Sequence, residues 1–320
     1  MKTRNDQTGK LNVQALSQYA IYFAFIILCV LFAVMNPVFL SAGNIMNIVR
    51  QISFNAILAM GMTVVIITGG IDLSVGSVLA VAAVVSASFI KSASPVLPFF
   101  AAILIGLLIG AVCGFLNGFF VTKGNLPPFI STMVMMTIAR GAAQLYTKGR
   151  PVSGLLPEFT YLGAGFLFGI PVPIYLLAIV VLLTWFILNK TRTGRYLYAV
   201  GGNESAAEAS GIKVHRIKLF AYTYSGILAA FVGLIMTARL NSASPVVGDG
   251  YELDAIAAAV IGGTSMEGGK GKVFSVLIGA FIIGTISNGL DILNVSSYWQ
   301  QIVKGLIILA AVLIDRKAAR

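Results

Sequence analysis

The sequence predicts an all-α, polytopic membrane protein with about ten transmembrane helices, some of them broken or half-length. Three observations carry that expectation. Hydrophobic residues make up 58% of the 320 and charged residues 10%, with a mean hydropathy of +0.92, whereas soluble domains carry about a quarter charged residues. The apolar residues gather into runs close to the roughly 20 that a helix needs to cross a bilayer core. Paired glycines with polar side chains interrupt two of those runs, and non-helical backbone at membrane depth persists only where protein or a water-filled cavity satisfies it.

In chain order the runs are 19–35, 52–71, 73–90, 96–122, 126–146, 170–188, 219–238, 255–264, 273–290 and 298–314. The first follows a basic start, but it is long for the apolar region of a secretory signal and no A-x-A-like cleavage site follows, so it reads as a retained span. Run 255–264 is too short to cross alone. It is a half-helix, a re-entrant piece or the apolar end of a helix that begins near Gly250. Within run 96–122, Gly106, Gly110, Gly114 and Gly118 recur every four residues and give one helix face no bulk, which lets a neighbour pack closely.

The net charge of +11 is spread over the ends of the runs instead of forming one patch, which argues against a nucleic-acid partner and for a role in orientation. Ten crossings put both termini on one side. One set of loops carries Lys2, Arg4, Lys10, Lys123, Lys190, Arg192, Arg195, Lys213, Arg216, Lys218, Lys270, Lys272, Arg316, Lys317 and Arg320, and the other carries Lys91, Lys148, Arg150 and Arg239. The positive-inside rule therefore places segment 1–18, loop 189–218 and tail 315–320 in the cytoplasm.

Loop 189–218 reads NKTRTGRYLYAVGGNESAAEASGIKVHRIK and is the long polar interval between spans. In it Asn203 caps a helix that starts at Glu204, and Gly211 stops that helix after about two turns. Ala206, Ala207, Ala209 and Ser210 leave its surface small enough for a partner's groove to approach the backbone.

Other chemistries fit poorly. Cys29 and Cys113 lie inside apolar runs without disulfide or metal spacing, and His215, the sole histidine, lies among Lys213, Arg216 and Lys218. No span supplies a histidine for an intramembrane hydrolase. Lys270-Gly271-Lys272 lacks the hydroxyl residue that a phosphate-binding loop places after its lysine. Polar residues at a lipid-facing helix centre cost about 2.5 to 3.5 kcal/mol each, so Asn55, Asp72, Asn117, Arg140, Asp254, Asn288 and Lys304 need an interior face or a pore. For the three asparagines, helix-to-helix bonding and a pathway role weigh equally. Arg50 and Glu252 read as interfacial. The two glycine breaks, 68–76 (TGGIDLSVG) and 262–269 (GGTSMEGG), are alike enough to hint at an internal repeat.

Several stretches in order carry a resemblance over nearly the whole chain: NAILAMGMT at 55–63, GIDLSVGS at 70–77, GRYLYAVGGNE at 194–204, Ser210 to Ile212, GYELDAIAA at 250–258, 262–265 with 268–271, and VSSY at 295–298. On these the chain resembles the permease subunit of ribose-type ABC sugar importers. The resemblance implies a homodimer in the bacterial inner membrane, a cytoplasmic ATPase that uses ATP and magnesium, and a periplasmic sugar-binding protein. It implies no cofactor bound by this chain and no catalytic residue. The short helix becomes a coupling helix, with Gly202, Asn203, Glu204, Ala206, Ala207 and Gly211 expected to meet the ATPase. Ser205 stands where the wider importer pattern E-A-A-x-x-x-G has its glutamate. Asn55, Asp72, Ser74, Asn117 and Asn288 are expected along the sugar path. The motif wording is closest to ribose permeases, while xylose, allose, galactofuranose and autoinducer-2 permeases share most of it. A secondary transporter that recruits Asp72, Arg140 and Lys304 for ion coupling is the alternative from another class.

Overall fold

The structure, a computed structural model, describes residues 21–319, with side chains described as far as residue 313. Segment 1–18 and the side chains of tail 315–320, with their basic residues, lie outside the described residues. In chain order the helices are α1 (Ile21–Met35), α2 (Ala42–Ile67), α3 (Val75–Ser88), α4 (Phe99–Thr122), α5 (Pro128–Thr147), α6 (Pro157–Ala164), α7 (Val172–Lys190), α8 (Arg192–Gly202), α9 (Glu204–Ala209), α10 (Val214–Leu240), α11 (Tyr251–Ile261), α12 (Val273–Ile292) and α13 (Ser297–Ala319). Short antiparallel strands β1 (Val152–Ser153) and β4 (Ser242–Ala243) pair with each other, as do β2 (Phe166–Leu167) and β3 (Ile170–Pro171).

Helix α6 lies at one end of the bundle, while α8 and α9 lie at the other. The remaining ten run between those ends. Lys91, Lys148, Arg150 and Arg239 fall at the α6 end, and Lys123, Lys190, Lys213, Lys218, Lys270 and Lys272 at the α8–α9 end. Helices α2, α4, α7, α10 and α12 are long and apolar enough to cross a membrane unaided. Helix α3, with 14 residues, and α11, with 11, are not. At about 1.5 Å per residue they rise only about 21 and 16 Å.

Two boundaries differ from the sequence reading, and a third alternative it left open is resolved. Helix α2 begins at Ala42 instead of 52, where the Ser41 hydroxyl accepts from the Asn44 N–H. Its first turns carry Asn44, Asn47, Arg50 and Gln51, so hydropathy conceals them. Loop 189–218 is mostly helical, because α8 precedes the expected short helix and α10 already begins at Val214. Amphipathic cytoplasm-type helices give no apolar run to detect. The short eighth run is a half-helix that starts directly after Gly250, whose φ of +78° breaks the chain.

Helices α2–α5 and α10–α13 pack alike, with their leading helices exchanged. Helix α10 packs on α3 and α4, and α2 packs on α11 and α12; α3 also meets α5 as α11 meets α13, while α2 and α10 meet at the centre. By element order α2 and α10 run in opposite directions, so the two sets form an inverted repeat. The glycine breaks do not correspond within it, since 68–74 follows α2 and 262–272 follows α11. They are neighbours in space instead. The α4 glycine stripe lies against α10, where a Cβ at Gly110 would collide with the Gly226 carbonyl and one at Gly114 with that of Tyr222. The core that results is centred on α2, which is buried almost continuously from Ile52 to Ile67.

Candidate functional site

Three arrangements of polar residues and backbone stand out, and each draws on a different set of helices. The first is closed. Asp72, between α2 and α3, is completely buried. Its Oδ1 accepts from the Ser74 hydroxyl at 2.6 Å and the Ser74 N–H at 3.0 Å, and its Oδ2 accepts from the Ser225 hydroxyl of α10 at 2.9 Å. Asn117 of α4 donates to the Ser74 Oγ at 2.8 Å. The bonds join α4 and α10 to the head of half-helix α3, so the carboxylate fixes where α3 starts. The sequence-predicted path residues Asp72, Ser74 and Asn117 thus come together, whereas Asn288 and Asn55 lie elsewhere. Asn288 on α12 exchanges reciprocal amide bonds of 3.0 and 3.1 Å with Asn44 at the start of α2, and Asn55 is buried within α2.

The second arrangement is open. Two adjoining clefts of about 600 and 380 Å³ share Asp249 and Glu252. One is walled by α11 and α13 with Gln300, Gln301 and Lys304, the other by α3 and α5 with Ser77, Thr137, Arg140 and Gln144. Both volumes fall in the range of small-molecule sites. Lys304 pairs with the buried Asp254 at 2.9 Å, and Arg140 Nη1 donates to the carbonyls of Pro245 and Val247, each at 2.9 Å. One cation thereby secures the loop into α11 and the other secures α11 itself. Arg140 and Lys304 each lie seven residues inside the α6-end termini of their helices, about 10 Å along the axis. Sequence reading considered Arg140, Asp254 and Lys304 singly and missed the face. The usable signal was spacing, because Thr137, Arg140 and Gln144 recur at helical intervals, as do Gln300 and Lys304.

The third arrangement is α9. The Asn203 Oδ1 accepts from the Ala206 N–H at 2.9 Å, and Gly211 leaves the helix at φ +82°. Six residues form it, close to the two turns expected. Gly202, Asn203, Glu204, Ala206 and Gly211 are exposed, while Ala207 faces inward and is buried. Glu204 pairs with Lys218 at 2.6 Å, which ties α9 to α10. Gly201, absent from the sequence-based set, has the tightest surroundings. A Cβ there would collide with the Ile67 carbonyl at the end of α2, and the Gly269 N–H donates to that same carbonyl at 2.9 Å. Gly268 lies against Gly69 and Gly201. Backbone from α2, α8 and both glycine breaks meets here without side chains between. Tyr198 adds a bond from its hydroxyl to the Gly271 carbonyl at 2.8 Å, and burial pushes its phenol up from the ordinary value, so it stays a donor.

A family model described as the permease component of branched-chain amino acid transport systems matches residues 44–312. The chain is 49% identical to the ribose import permease protein RbsC of Haemophilus influenzae, covering 98% of this chain and 96% of that one. It is 46% identical to the ribose import permease protein RbsC of Bacillus subtilis, over 99% of each chain. Against the D-allose transport system permease protein AlsC of Escherichia coli the identity is 42%, over 93% of this chain and 91% of that one. No solved structure matches. A match spanning all but α1 and the chain's two ends, on a helical bundle with an inverted repeat, places this chain in the permease-component family of branched-chain amino acid transport systems.

Proposed function

We propose that the chain is the membrane-spanning subunit of an ATP-driven importer that carries ribose across the bacterial inner membrane. The α8–α9 end and both termini face the cytoplasm, as the segregation of basic residues favours. The observation that carries the reading is the open polar face of α3, α5, α11 and α13. Charged and amide groups at membrane depth do not face acyl chains, so this face meets a second copy of the chain, and the sugar passes between the two. A path of amides, hydroxyls and paired charges holds a sugar loosely enough to release it. The Asp72–Ser74–Asn117 network is too buried to touch cargo in this conformation and acts by seating α3 at the edge of the path; Asn288, bonded to Asn44, holds α12 to α2 behind it.

Helix α9 is the contact for a separate ATPase, which binds ATP and magnesium and docks on Gly202, Asn203, Glu204, Ala206 and Gly211. Ala207 supports the contact from beneath. Closure of the ATPase moves α8 and α9 as a unit, and the glycine junction passes that motion to α2 and to the break before α12. A periplasmic binding protein delivers ribose at the α6 end. Ribose is favoured over allose because similarity to the ribose import permeases is the greater.

The test is uptake of labelled ribose and allose into proteoliposomes containing the chain, its ATPase and its binding protein, with Gly202→Trp beside wild type. A Cβ at Gly202 meets nothing within 4 Å and the position is exposed, so a side chain there starts without a clash and enlarges the surface offered to a partner. Wild type takes up ribose when ATP is present, and Gly202→Trp inserts normally but does not. Uptake by the chain alone under an ion gradient, indifferent to ATP, would mean secondary transport.

A further inference from the structure

A further cavity lies away from the proposed sugar path. About 850 Å³ opens at the α8–α9 end between α1, α7 and the start of α12, against the 262–272 glycine break. Its lining is mixed. Lys270, Lys272 and Asn189 supply polar groups, and Ile261, Trp185 and the exposed Phe274 supply apolar ones. Among the described residues neither Lys270 nor Lys272 has an ion-pair partner, although both are exposed at the membrane end of the bundle. Helix α12 begins on the cavity wall with Lys272 as its N-cap and no side-chain cap. The N–H groups of its first turn have no intrahelical acceptor there and carry the positive end of the helix dipole. Lys190 lies 5.5 Å from the Trp185 ring and adds a third cation beside the opening.

We infer that this cavity binds the phosphodiester headgroup of an anionic phospholipid, with the lysines and the α12 amides on the phosphate and the apolar lining residues along the first part of an acyl chain. Free phosphate would use only the polar groups. The apolar residues, an aromatic ring among them as is common at membrane interfaces, select a lipid. Basic residues next to a membrane surface favour anionic headgroups over zwitterionic ones. On the proposed coupling route the site touches the glycine junction, because Gly269 and Gly271 line it and bond to the Ile67 carbonyl and the Tyr198 hydroxyl. Bound lipid braces the junction between α8, α2 and the break.

Native mass spectrometry of the intact importer complex, titrated with phosphatidylglycerol or phosphatidylcholine, tests this. Wild type retains phosphatidylglycerol in preference, and Lys270→Gln with Lys272→Gln weakens that retention roughly tenfold while leaving the complex assembled. Removing Lys148 and Arg150 at the opposite end changes nothing. Equal retention of both lipids by wild type, equal loss in the two double variants, or displacement of the lipid by inorganic phosphate would each overturn the inference. Loss of the ATPase from the Lys270→Gln/Lys272→Gln complex with lipid retention intact would assign these lysines to the ATPase contact instead.

Discussion

At the scale of single residues, two buried acidic side chains, Asp72 and Asp254, do structural work that the cost of burying them makes visible. Asp72 accepts hydrogen bonds from Ser74 and Ser225 in a place no water reaches. Asp72→Leu leaves those donors unpaired and is expected to cost about 3 kcal/mol or more; Asp72→Asn keeps an acceptor and costs less. Thermal unfolding in detergent, comparing the two variants, checks the order. Lys304 is the counter-ion of Asp254. Lys304→Met strands the carboxylate at a cost of about 2 kcal/mol or more, while Lys304→Met with Asp254→Asn recovers most of it. A double variant no more stable than the single one would show that the pair does not hold α11 to α13. The sequence exposed each of these residues as an expensive polar group in an apolar run. It did not expose their partners, because Ser225 is 153 positions from Asp72 and Lys304 is 50 from Asp254.

At the scale of elements, glycine sets how closely helices and breaks approach. Gly201 and Gly202 are adjacent, yet only the first is enclosed. Gly201→Ala drives a methyl into the Ile67 carbonyl and is expected to abolish coupling of ATP hydrolysis to uptake, whereas Gly202→Ala retains most of it. Both rates measured on the same proteoliposomes decide the matter, and equal effects would remove the junction from the coupling route. Gly110→Val wedges α4 away from the α10 backbone, with an expected loss of about 1 to 3 kcal/mol, read as a lower unfolding midpoint. The four-residue glycine period was legible in the sequence and so was the helix it belongs to. Its partner helix was not, because a small-residue face specifies close packing without specifying against what.

At the scale of the whole molecule, the proposed dimer sets the polar face of α5 and α13 against a second copy of the chain. Gln301 is exposed on it, and in a background with Cys29→Ser and Cys113→Ser, Gln301→Cys is expected to cross-link two copies of the chain under mild oxidation, with cross-linking that changes when the ATPase binds nucleotide. Monomeric protein in the membrane, or cross-linking indifferent to nucleotide, would count against a path between moving copies. The inverted repeat would give the proposed motion a form, because the exchanged helices α2 and α10 connect each half to the half-helix of the other.

The sequence by itself determined the class of protein, the two glycine breaks, the capped helix and the family. Each of these rests on local composition, spacing or motif, and those survive without knowledge of neighbours. Only the tertiary structure decided that the breaks meet at Gly201, that Asp72 is sealed while Arg140 and Lys304 border an open cleft, and that α2 and α10 change places between the halves. The reason is physical: apolar runs fix which segments leave water, but in a membrane nearly every helix face is apolar, so the pattern carries little information about which faces touch.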